Sequence, residues 1–210
     1  MDCLSNLDSV LVNQEVDFQE VVIGFSRNRR YFVRAALKTD PILTAVQDNK
    51  FVDRVTKPNY MFTLRVMNPS STQVMHIDRI KPDAYFKQPR VEVLAPPGNL
   101  IGVVKLHSFA CPRTLHVMNT KDQLEYVINN SNDCCGGFEA KFVVTDVHKK
   151  EIALIEKLFG GVIKEIYTDS DNYKVNFKGL DTRTKALLLA SVFFIDGLFF
   201  ETTAVRKFLI

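Results

Sequence analysis

The chain has 210 residues, of which 24% are charged and 46% hydrophobic, so it can bury a sizeable core as one large domain or two small ones. Lysine and arginine number 27 against 24 acidic residues, and the net charge of +3 is too small to argue for a nucleic-acid partner. The start, Met1-Asp-Cys-Leu-Ser, shows no basic stretch followed by an apolar run, so no secretory signal is expected. Cys3, Cys111, Cys134 and Cys135 are therefore read as reduced thiols. His76, His107, His116 and His148 are scattered, and no Cys/His spacing suits zinc.

Residues 4–22 fit a helix or a strand equally well. A basic cluster follows, Arg27-Asn-Arg-Arg with Arg34 nearby, and reads as a solvated loop. From there the dominant signal is alternation of apolar and polar residues at period two, the mark of half-buried strands. It marks residues 60–66, 74–79, 90–94, 100–106, 114–118, 124–128, 138–144, 162–167 and 173–177. Turn signals separate these runs: Asn68-Pro-Ser-Ser, Pro96-Pro-Gly-Asn, Asn129-Asn-Ser-Asn-Asp and Gly160-Gly161. No repeat or linker divides the chain, so residues 1–210 are taken as one domain. Its class is mainly β, a sandwich or a barrel.

The exception is Lys185-Ala-Leu-Leu-Leu-Ala-Ser-Val-Phe-Phe-Ile-Asp-Gly-Leu-Phe-Phe-Glu, which is helical in propensity, with Asp181 or Thr182 available as N-cap. At ~1.5 Å per residue its apolar part reaches roughly 22 Å, short of the about 30 Å of a bilayer's hydrocarbon core. Asp196 interrupts it, and a carboxylate inside a lone span costs ~2.5–3.5 kcal/mol. A helix that is apolar all round and too short to span predicts the centre of a protein core.

Several segments resemble the phospholipid scramblases. They are APPGNLIG at 95–102, YTDSDNYKVNF at 167–177 and KALLLASVFFIDGLFFE at 185–201. LSNLDSVLVNQEVDFQEVVIGF at 4–25 is similar to the start of that family's domain, and CCGGFEAKF at 134–142 to a middle segment. The likeness runs from residue 4 to 201. It implies a tubby-like fold, a closed β barrel of about twelve strands around a C-terminal hydrophobic helix at 182–201. It also implies calcium-linked, ATP-independent movement of phospholipids between leaflets, a process with no covalent chemistry. The implied place is the cytoplasmic face of the plasma membrane, with a cytosolic pool. The alternative is a cytosolic lipid-binding or adaptor barrel without transport activity. The family's usual description makes the helix a membrane anchor, whereas its length and Asp196 favour burial, and a buried Asp196 needs a partner.

The resemblance also implies sites. Its calcium loop, similar to an EF-hand, falls on residues 169–180. Asp169 and Asp171 fill the first and third ligand positions, but Tyr173, Lys174 and Leu180 stand at the fifth, the turn-glycine and the bidentate positions. The plainer reading is an acidic turn feeding a strand, with at most weak, roughly millimolar calcium binding. The cysteine patch described as palmitoylated in many members is absent from residues 83–89, leaving Cys134 and Cys135 as candidate acyl sites. The family's basic import segment would fall at 153–160, where only Lys157 is positive, so that property is not carried over. Arg27, Arg29, Arg30 and Arg34 are candidates for charge-assisted bonds to lipid headgroups. No G-x-S-x-G, P-loop or Rossmann glycine pattern occurs, and no cysteine or serine has an identifiable base.

Overall fold

The computed structural model describes residues 2–15, 29–36, 39–48, 62–80, 88–110, 112–130, 140–158 and 172–200. After a short 3₁₀ turn at Asp2–Leu4 come twelve strands: β1 (Ser9–Gln14), β2 (Arg30–Arg34), β3 (Leu43–Asp48), β4 (Thr63–Met67), β5 (Gln73–Ile80) and β6 (Arg90–Leu94), then β7 (Leu100–Ser108), β8 (Thr114–Met118), β9 (Leu124–Asn130), β10 (Lys141–Asp146), β11 (Glu151–Leu158) and β12 (Asn172–Asn176). Each strand pairs antiparallel with the next, and β12 returns to β1 to close the barrel. The helix α1 (Thr182–Ile195) follows and continues as a π-helical turn, Asp196–Phe200.

Period two explains the wall. Along β3, Leu43 and Ala45 are buried while Thr44 and Val46 are half-exposed; β6 and β10 alternate in the same way. A barrel of about eight strands fills with its own side chains. Twelve leave room for a helix about 10–12 Å wide, and α1 occupies it: every side chain from Thr184 to Asp196 is buried. The closest approach is at Gly102 on β7, where a Cβ would meet the Met118 carbonyl oxygen at 2.7 Å and Leu187 Cδ2 at 2.9 Å. Glycine is what lets the helix lie against that strand. The polar Ser191 in the middle of the helix donates its hydroxyl to the Leu187 carbonyl at 2.8 Å, so it needs no partner from the wall.

The outward faces carry charged side chains at mid-strand, including Arg65, Glu92 and Lys174. A membrane-spanning barrel needs the reverse, an outward apolar band. No described helix is long and apolar enough to cross a membrane.

Odd-numbered strands finish at one rim, called upper here, and α1 also ends there. At the lower rim, Asp181 caps the helix: its Oδ1 accepts from the Thr184 amide at 3.0 Å. Burial alone would push the Asp181 carboxyl up, but bonds from the Thr184 hydroxyl and nearby amides together hold it below the usual carboxylate range. Lys185, only 2% exposed, donates to the carbonyls of Leu4, Ser5 and Leu7 at 3.0, 2.8 and 2.8 Å. Arg183 donates to the Ile101 carbonyl at 2.7 Å and pairs with Glu125 at 2.9 Å.

The expected strands at 74–79, 90–94, 100–106, 114–118, 124–128 and 173–177 match β5 to β9 and β12 closely, and those at 60–66 and 138–144 correspond to β4 and β10. The expected strand at 162–167 lies outside the described residues. Within the ambiguous segment 4–22, residues 9–14 form a strand, and residues 16–22 lie outside the described residues. Arg30 and Arg34, read from sequence as part of a loop, belong to β2, because Tyr31 and Val33 between them point into the core. Leu198, grouped with the core helix by sequence, is only half-buried, since the wall encloses the helix fully only as far as Asp196.

Candidate functional site

The upper end of the barrel differs from the rest of the core. Inward positions that further down carry Leu, Ile or Val here carry Gln47 on β3, Arg79 on β5, Asn130 on β9 and Lys157 on β11, all buried. They surround the end of α1. There Asp196, 2% exposed, accepts the Tyr31 hydroxyl on Oδ2 at 2.7 Å and the Tyr173 hydroxyl on Oδ1 at 2.8 Å. Both carboxylate oxygens are thus satisfied, which supplies the partner that a buried charge requires. Burial, then the Asp196 carboxylate, raise the Tyr31 phenol well above its usual range, and Arg29 pulls it partly back. Tyr31 is therefore a fixed hydrogen-bond donor.

The π-helical turn after Asp196 turns aromatic rings toward the rim. Lys157, 6% exposed, places its ammonium 3.5 Å from the centroid of the Phe200 ring and 5.7 Å from that of Tyr173. Arg113 lies over Phe199 at 4.8 Å, and Phe142 stacks on Phe199 with centroids 6.2 Å apart. Phe109, 60% exposed, meets Phe199 edge-on at 6.0 Å. Among the described residues the ensemble holds cations and aromatic rings, side chains suited to binding.

The candidate headgroup arginines do not form one cluster. Arg29 points inward at the upper rim, against Tyr31. Arg30 and Arg34 stand outward at opposite ends of β2. Arg30 pairs with Glu15 at 3.2 Å, and Arg34 donates to Asn13 Oδ1 at 3.0 Å and to the Thr39 carbonyl at 3.1 Å. Arg27, Cys134, Cys135, Asp169 and Asp171 lie outside the described residues. The strand ends flanking those stretches, at Gln14 and Arg30, Asn130 and Lys141, Leu158 and Asn172, all belong to the upper rim. Among the described residues no group of three or more His, Cys, Asp or Glu side chains could hold a metal ion. Lys157, the sole cation in the stretch considered for nuclear import, is buried over Phe200.

Sequence reasoning missed Tyr31, Lys157, Phe109 and Arg113. A lysine within the apolar run Ile152-Ala-Leu-Ile-Glu-Lys-Leu was the available signal for one of them.

A helix sealed inside a closed twelve-strand antiparallel barrel is consistent with a tubby-like fold. The sequence profile of the scramblase family matches residues 1–202, and the chain belongs to that family. It is 28% identical over 213 residues to phospholipid scramblase 2 of Bos taurus, covering 97% of this chain and 72% of that protein. To phospholipid scramblase 1 of Homo sapiens it is 26% identical over 215 residues, covering 99% and 67%. Human phospholipid scramblase family member 5 is 26% identical over 215 residues, covering 96% and 77%. No solved structure matches the chain.

Proposed function

We propose that the protein moves phospholipids between leaflets, in both directions and without ATP, from the cytoplasmic face of the plasma membrane, where it associates peripherally. The observation that carries this reading is the family match over residues 1–202, with relatives named phospholipid scramblases. The chain covers only 67% to 77% of the relatives cited above, so the activity of those longer proteins is part of the proposal. Because α1 fills the barrel, headgroups have no interior path, and lipids would move along the outside of the protein or through bilayer that it disturbs. Of the candidate arginines, Arg27 and Arg30 would contact headgroups, each basic residue near an anionic surface contributing about 1 kcal/mol, whereas Arg29, set against Tyr31, and Arg34, at the lower end of β2, would not. Calcium would bind weakly through Asp169 and Asp171, and Cys134 and Cys135 would take acyl chains.

The filled interior also favours a second reading: a lipid-binding or adaptor barrel that holds lipid headgroups and transports nothing. Reconstitution into liposomes with a fluorescent lipid and a dithionite quench separates the two. Quenching beyond the outer leaflet that rises with calcium supports scrambling. Quenching limited to the outer leaflet, with vesicle binding retained, supports the second reading and sinks the first.

A further inference from the structure

The β7–β8 hairpin ends at the upper rim and combines three properties. No acidic residue lies between Glu92 and Asp122, while Lys105, Arg113 and Lys121 add charge of one sign. Of these, Lys105 is matched by Asp122 from the β8–β9 turn at the lower rim. Arg113, near the tip, makes no ion pair among the described residues and rests on the Phe199 ring. The tip presents Phe109, the most exposed of the large hydrophobic side chains described. That ring is braced edge-on by Phe199 at 6.0 Å, and Phe199 in turn is stacked on the buried Phe142. An exposed ring already packed against another ring has less conformational freedom to lose on binding than a bare one. Just below the tip, His107 on the outward face of β7 stacks on His116, with centroids 4.1 Å apart.

We propose that the β7–β8 tip is a membrane wedge: Phe109 enters the headgroup layer of an anionic bilayer while Arg113 binds lipid phosphate beside it. The inference rests on the reading that the protein works at a membrane face, and it names the surface that meets that face. A basic side chain flanking an exposed aromatic matches an interface whose outer layer is anionic and whose inner layer is apolar. An acidic protein would satisfy Arg113 but offer Phe109 no apolar layer.

The chain contains no tryptophan, so Phe109→Trp creates a single reporter. With vesicles of phosphatidylcholine and phosphatidylserine, its emission should shift to the blue and be quenched by shallow brominated lipids. Phe109→Ser should lower vesicle affinity about tenfold, and Arg113→Gln about fivefold. Val147→Ser, at the exposed tip of the β10–β11 turn on the lower rim, should change nothing. Circular dichroism checks that each variant folds. If the full chain binds these vesicles but the emission of the Phe109→Trp variant stays put, and the Phe109→Ser and Arg113→Gln variants bind as well as wild type, the wedge is wrong and the membrane reading stands. If the chain binds no vesicle at all, both fail. A blue shift given by polyglutamate instead of vesicles would also overturn the wedge, making the partner an acidic protein.

Discussion

The two ends of α1 are held by different chemistry. At the lower end one lysine gathers three backbone carbonyls of the N-terminal turn, 178 to 181 positions away, and an aspartate caps the helix. At the upper end a carboxylate is clasped by two phenols from strands far apart in sequence, and the helix loosens into a π turn edged with aromatic rings and cations. The lower end fixes position. The upper end also fixes position, but it carries the side chains that face outward. The proposed binding surface lies where the helix leaves the barrel wall, where aromatics packed on the core also reach the outside.

The largest test of this contrast lies within the helix itself. Phe194→Ala should lower unfolding free energy by about 3–5 kcal/mol, read from urea denaturation, whereas Leu198→Ala beyond the enclosed part should cost about 1 kcal/mol. Equal losses at the two positions would mean that the wall encloses more of the helix than Asp196 marks. Next, Asp196→Asn should cost about 2–3 kcal/mol, because one phenol loses a charged acceptor. Replacing all three members, Tyr31→Phe, Tyr173→Phe and Asp196→Leu, should recover only part of it, because Arg29, set against Tyr31, would lose its phenol partner. At the lower end Lys185→Met should cost about 2 kcal/mol by leaving three inward carbonyls short of a donor. A Lys185 variant as stable as wild type would show that water serves those carbonyls equally well.

The smallest effect is at the cap. Asp181→Ala should cost about 1 kcal/mol at neutral pH. The folded Asp181 carboxyl titrates below its unfolded value, so its contribution is complete above the unfolded pKa and fades as pH falls through the folded one. Wild type and variant should therefore converge in stability only once the pH falls below the folded pKa, itself under the ordinary carboxylate value. A gap that persists there would assign the cap's effect to packing.

Most of the wall was legible in the sequence because alternation survives wherever inward residues meet the apolar body of α1. The bounds of β8 were read to the residue, and the Asp181 cap and the burial of the helix followed from local pattern and length. Legibility failed for β2, β3 and β11. Each has an inward position at the upper rim filled by a polar residue, or lies next to one: Arg29 before β2, Gln47 in β3, Lys157 in β11. An inward polar residue shortens the alternation without always erasing it, since β5 and β9 were read despite Arg79 and Asn130. That Asp196 needed a partner could be argued from burial alone. That the partners are Tyr31 and Tyr173 could not, because only barrel closure brings a residue 165 positions away to the carboxylate.

The seam between β1 and β12 joins Asn13 to Asn172, 159 positions apart, and the helix that fills the barrel comes after both. The ring therefore has no stable hollow form: twelve strands closed without α1 would surround a void lined by Val, Ile and Phe side chains, far too large for the wall to collapse into. A chain cut before Thr182 on the view that its tail is a detachable anchor should thus aggregate or stay unfolded. Whatever activity such a truncation abolishes would report the loss of the fold, and would carry no information on whether the tail had ever touched lipid.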